Sequence, residues 1–215
     1  MDTQVRALLS EAAEWRMLGL MFEYPSDGWR ANVAAVMDSI ADPELRTMGE
    51  AALAQNTDGL HFALFGPAGT VPVREVTYQG GVQLGYLMSE LSAYYEAFGY
   101  EPRVEEAPDH LAIQLGFVSF LKLKQASALS AGQPDQAGIA ANAATEFLKT
   151  HLALQAEPVL HRLEEFAPSY LIAAGNRILA HTGPAPRSEF PLGSIIEDRD
   201  GEDDMMCCGD ASAAL

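Results

Sequence analysis

Side chains able to do chemistry crowd one short segment of the 215-residue chain, where Glu105, Glu106, Pro108, Asp109 and His110 stand together between two apolar stretches. Carboxyls beside an imidazole are the raw material of general acid–base catalysis or of a metal site. A hydrolase working through Glu106, Asp109 and His110 is the enzymatic reading. The plainer reading is local. Pro108 disfavours helix at Ala107 and suits the first turn of a following helix, which puts Asp109 where the helix dipole favours an acid. His61, His151, His161 and His181 are scattered. His151 and His161 fall on what read as separate helices and suit surface or capping roles better than a metal pair. Met205-Met206-Cys207-Cys208 sets four soft sulfur ligands in a row, a composition that suits copper(I). Adjacent cysteines, however, close a tetrahedral site poorly. No phosphate loop, GxGxxG turn, HExxH zinc motif or GxSxG elbow occurs, so neither catalysis nor a resident cofactor is expected.

The elements that must position these groups read as helices. Leu8, Ala12, Trp15, Gly19 and Phe22 form one apolar stripe at steps of four and three, stopped by Pro25. Trp29, Val33, Val36 and Ile40 form a second, with Ser26 or Asp27 as its expected cap. Asp42-Pro43-Glu44 opens a third helix running to the turn at Asn56–Gly59. Leu60 to Phe65 is a short apolar stretch, and Thr70 to Gly81 reads as extended or irregular. Leu84, Met88, Leu91, Tyr95 and Phe98 mark a strong amphipathic helix closed by Gly99. Leu111 to Leu123 fits both periods, and its length favours a buried central helix. Pro134, Pro158 and Pro168 are each expected to open a further helix, and Gly183-Pro184 to end the last. The expected fold is therefore all-α, a single helical bundle over residues 1–186, followed by a flexible acidic tail over 187–215 rich in Glu and Asp.

Thirty acids against thirteen Lys plus Arg give a formal net charge of −17. Such a field repels phosphate backbones, so nucleic acid is not an expected partner, whereas a basic peptide would be attracted. The start, Met1-Asp2-Thr3-Gln4, lacks the basic region of a secretory signal, and no apolar run of about 20 residues suggests a membrane span. The two cysteines are adjacent, which rules out a disulfide framework and fits a reducing cytoplasm.

Glu106-Ala107-Pro108-Asp109-His110-Leu111 resembles the Glu-x-Pro-Asp-His segment of the TorD/DmsD/NarJ family of redox-enzyme maturation chaperones. Three further segments resemble that family in the same order: Leu18 to Pro25, Leu64-Phe65-Gly66-Pro67, and Pro72 through Glu75 to Tyr78. Val73 and Arg74 depart from the proline and aromatic residue usual there. The resemblance implies a cytoplasmic chaperone that binds an apo molybdenum-containing oxidoreductase subunit, through its twin-arginine signal peptide or another segment. It would hold that client until molybdenum cofactor is inserted, and so prevent premature export. On this reading Glu106, Pro108, Asp109, His110, Tyr24, Phe65, Glu75 and Tyr78 contact the client, with Glu106 and Asp109 pairing with its arginines. The chaperone itself is expected as a monomer or homodimer.

Overall fold

The computed structural model describes residues 2–80 and 83–185. They fold as α1 (Thr3–Met21), α2 (Trp29–Ser39), α3 (Pro43–Gln55), α4 (Asp58–Phe65), α5 (Leu84–Phe98), α6 (Leu111–Ser130), α7 (Pro134–Phe147), α8 (Ala153–Phe166) and α9 (Ser169–Thr182). Among the described residues no strand forms, and the all-α expectation holds. The expected tail over 187–215 lies outside the described residues.

Central to the bundle is α6, whose residues from Leu111 to Ser119 are all buried. Its second half is buried only in part: Ala126 packs on Val5 and Leu8, whereas Leu123, expected inside, is 46 % exposed. At Leu123 the helix faces a groove instead. α1 lies against α6 closely enough that a Cβ on Gly19 would stand 3.3 Å from the Ala112 carbonyl oxygen. The Ser119 hydroxyl donates to the Ala12 carbonyl at 2.7 Å across the same seam. On the opposite side Phe117 meets Phe147 of α7 edge to face at 4.8 Å between ring centroids. α9 closes the bundle through Arg177, which donates to Glu14 at 2.6 Å and to Asp42 at 2.7 Å. His181, one turn on, stacks against Trp15 and pairs with Glu14.

Most helix ends follow the sequence. Asp42 caps α3 with Pro43 at its first position, and Gly99 ends α5 at a φ of 67°, where only glycine is unstrained. Other ends correct it. Neither Ser26 nor Asp27 caps α2: Gly28 holds the cap position without a side-chain bond, and the Ser26 carbonyl accepts from Trp29 N–H. Leu60 to Phe65 is not merely an apolar stretch but most of α4, capped by the Thr57 hydroxyl. Pro158 opens nothing. It sits inside α8, which continues from α7 through a π-helical turn, Leu148–Leu152. Proline denies the Leu154 carbonyl its helical partner, a loss reduced by the partial exposure of that residue.

Candidate functional site

The segment joining α5 to α6, residues 99–110, is anchored at both ends and open in its middle. Tyr95 donates to the Pro108 carbonyl at 2.7 Å and Tyr100 to the Ile113 carbonyl at 3.2 Å. Residues 73–75 run beside 109–111: Glu75 N–H donates to the Asp109 carbonyl at 3.0 Å, Leu111 N–H to the Val73 carbonyl at 2.8 Å, and Arg74 forms an isolated antiparallel bridge with His110. Asp109 is 0 % exposed. Its carboxylate accepts from the Arg74 guanidinium and from Val76 N–H at 3.3 Å. Asp109 therefore serves Arg74, and this pair ties the segment before α6 to residues 73–75.

His110 is likewise structural. Its Nδ1 accepts from Ala112 N–H at 3.2 Å and so caps α6. Burial, with His61 and Arg74 nearby, pushes its imidazole from 6.5 down to about 4. A depressed histidine pKa means protonation favours the unfolded chain. The stability it contributes is complete above pH 6.5 and is lost as pH falls toward 4, amounting to about 3 kcal/mol. Thermal midpoints should therefore fall across that window in the wild type. His110→Asn, which keeps a capping acceptor but cannot titrate, should flatten the fall. Glu14 acts lower: burial pushes its carboxyl up, but His181 and Arg177 outweigh that and hold it at about 2, so its contribution fades only below pH 4.5.

Behind the bridge lies a polar network that residue types alone did not reveal. Glu75, fully buried, accepts from the Gln79 and Gln114 amides and lies 3.0 Å from His151 Nδ1. Gln114 in turn accepts from Gln155 at 2.5 Å. A signal was available: Gln114 interrupts an apolar helix, and His151 and Gln155 stand one helical turn apart. His151 is thus a core residue rather than a surface or capping one. Tyr78 donates to the Pro72 carbonyl at 2.6 Å, bracing the same turn.

Two neighbouring surfaces remain accessible. The first is an aromatic ledge, where Tyr24 and Phe62 are 39 % and 58 % exposed over half-buried Phe65 and buried His61. The second is a groove of about 1390 Å³ between α1, α2, α6 and residues 99–104. Leu9 and Leu123 stand on its walls with Val36, Val104 and Phe120, and Arg6, Arg16, Arg103, Glu23 and Glu101 add charge. A Cβ on Gly116 would come within 2.5 Å of the Tyr100 hydroxyl, so glycine is what lets the loop close one wall. Glu105 and Glu106 are exposed and follow the groove-lining residues 99–104 in sequence. Partial burial lifts the Glu106 carboxyl above its ordinary value, and nearby Arg74 opposes the lift. Of the expected client-contacting residues, Tyr24 and Phe65 belong to the ledge, and Glu106 stands two residues beyond groove-lining Val104. Glu75, Asp109, His110, Pro108 and Tyr78 build the scaffold beneath.

The family model described as nitrate reductase delta subunit matches residues 28–157, from the start of α2 into α8. The chain belongs to that family, the NarJ/TorD type of redox-enzyme maturation chaperone. A chlorate reductase assembly chaperone protein of Ideonella dechloratans is 30 % identical over 176 residues, covering 79 % of this chain and 85 % of the relative. The family match contains the whole Arg74–Asp109 bridge and the loop 99–110. It begins after α1, which supplies one groove wall. No helix of the described residues is long and apolar enough to cross a membrane. Among the described residues no group of three or more His, Cys, Asp and Glu side chains is arranged to hold a metal ion.

Proposed function

We propose that this chain is a cytoplasmic assembly chaperone for an apo molybdenum-containing oxidoreductase subunit, and that the groove between α1, α2 and α6 receives a client segment. The observation that carries the reading is the open apolar groove, one wall of which continues into the motif loop bearing Glu105 and Glu106. A twin-arginine signal peptide has the matching order, with a basic stretch followed by an apolar one. Its arginines meet the exposed carboxylates of the loop and its apolar residues lie against Leu9, Leu123 and Phe120. The aromatic ledge at Tyr24, Phe62 and Phe65 extends the apolar surface. Holding the leader until cofactor insertion is complete withholds the client from export.

The likeness to a chlorate reductase assembly chaperone supports a reductase as the class of client. The role is non-catalytic. The acid–base alternative at Glu106, Asp109 and His110 loses support because Asp109 is engaged by Arg74 and His110 Nδ1 is engaged in capping α6.

Calorimetry with a client leader peptide tests this reading. Glu105→Gln together with Glu106→Gln should weaken binding at least about tenfold, because a lost charge-assisted hydrogen bond is worth roughly 1.5–3 kcal/mol. Wild-type binding should weaken with added salt, and the double variant should show a shallower salt dependence. Unchanged affinity with an unchanged melting curve would remove the loop from recognition.

A further inference from the structure

The groove has a second candidate occupant within the same chain. α9 ends on α1 one helix face away from the groove: His181 pairs with Glu14 and stacks on Trp15, which follow groove-lining Ala13 in sequence, and Arg177 pairs with Asp42, next in sequence to Ala41 on the groove wall. The described chain leaves this point at Gly183–Ala185, with residues 186–215 still to come. Their order is informative. Phe190, Leu192, Ile195 and Ile196 come first, and Glu197, Asp198, Asp200, Glu202, Asp203 and Asp204 come next, interrupted only by Arg199 among charged residues of opposite sign.

We infer that residues 190–204 dock back into the α1–α2–α6 groove, the apolar part on Leu9 and Leu123 and the acidic part toward Arg6, Arg16 and Arg103. Charge complementarity supports this. In a chain of net charge −17, the groove lining carries Arg6 and Arg103 against Glu101, beside Arg16 and Glu23, which pair with each other. Reach is ample, since an extended chain covers roughly 3.3–3.6 Å per residue and one helix is about 10–12 Å across. Tethering also gives the segment an effective concentration of roughly millimolar order, so an intrinsic affinity of about 0.1 mM would keep it seated about nine-tenths of the time. The tail then acts as an internal competitor, and a client binds with an affinity reduced about tenfold. That last consequence rests on the client reading of the groove, whereas the docking itself does not.

The chain's only two cysteines are Cys207 and Cys208, which makes the test direct on the full-length protein. A nitroxide is placed on Cys207 in a Cys208→Ser background, and paramagnetic broadening of methyl and aromatic signals is read. Broadening should concentrate on Leu9, Val104 and Leu123 and spare Ile139 and Phe62, which do not line the groove. Ile195→Asp with Ile196→Asp should abolish the pattern and raise leader affinity about tenfold. Broadening spread evenly over the surface, unaltered by that double variant, overturns the inference. Broadening transferred to an unlabelled copy in a mixed sample would assign the groove to a second molecule and overturn it equally. A seated tail whose removal leaves leader affinity unchanged would uphold the docking and remove the client from the groove.

Discussion

Glu75→Ala should lower the unfolding free energy by about 3–5 kcal/mol, the largest loss expected from any single substitution in the polar core of this protein. The carboxyl group has no exposure and meets three partners, Gln79, Gln114 and His151. Removing it leaves buried donors without acceptors, each costing roughly 1–3 kcal/mol, and opens a small cavity. For a domain of this size the thermal midpoint should fall by on the order of 10 °C. Glu75→Gln should cost less than half as much, for a specific reason. Its new amide nitrogen would confront the Gln114 nitrogen unless Gln114 turned over, and Gln114 can turn only if Gln155 does. Gln155 Oε1 has no partner in the network, so both amides can flip and restore every contact. A glutamine variant as unstable as alanine would show that the network needs the carboxylate itself.

Leu9→Gln combined with Leu123→Gln should cut leader affinity by about a hundredfold while leaving the melting curve within a degree or two. Both side chains are substantially exposed, at 37 % and 46 %, and glutamine is a good helix former, so folding loses little. A bound apolar segment would bury both positions. Losing that burial and desolvating two amides instead amounts to roughly 3 kcal/mol. Glutamine is preferred to aspartate because a new carboxylate could attract the basic part of a leader and mask the loss. The measurement belongs in the Ile195→Asp, Ile196→Asp background, where the chain's own tail no longer competes for the same surface. Unchanged affinity there would place the client elsewhere, with the aromatic ledge at Tyr24 and Phe62 the next surface to substitute.

The helices were legible because burial on one face imposes steps of three and four, and Trp15, Leu91 and Phe147 obey them. Helix ends were legible where one residue type decides the conformation, as at Asp42 and Gly99. Pro158 misled because the first turn is proline's favoured helical position, whereas here it is accommodated inside α8, against the carbonyl of partly exposed Leu154. The motif loop was legible as a place but not as a mechanism. An acid beside a proline and a histidine reads as solvated unless its partner is known, and the partner of Asp109 is Arg74, 35 residues earlier. Pairings over such distances are set by the fold and leave no local spacing to detect. The groove was illegible for the same reason: α1, α2, the loop and α6 contribute its walls from four separate stretches of chain.

The π-helical turn Leu148–Leu152 sets the phase of both helices beyond it, α8 and α9. A π turn takes up an extra residue within an otherwise α-helical path. Removing one residue from 148–152 would restore an ordinary α-helix and rotate α8 by about 100°, the angle one residue subtends in that helix. Gln155, Leu160 and Leu163 would swing off the core face together, and α9, seated on Leu160 and Leu163 through Gly175, would lose its bed. Relatives of this protein should therefore vary in length at the loops and termini but keep the residue count between Phe147 and Gln155 fixed, or lose α9 from the bundle altogether.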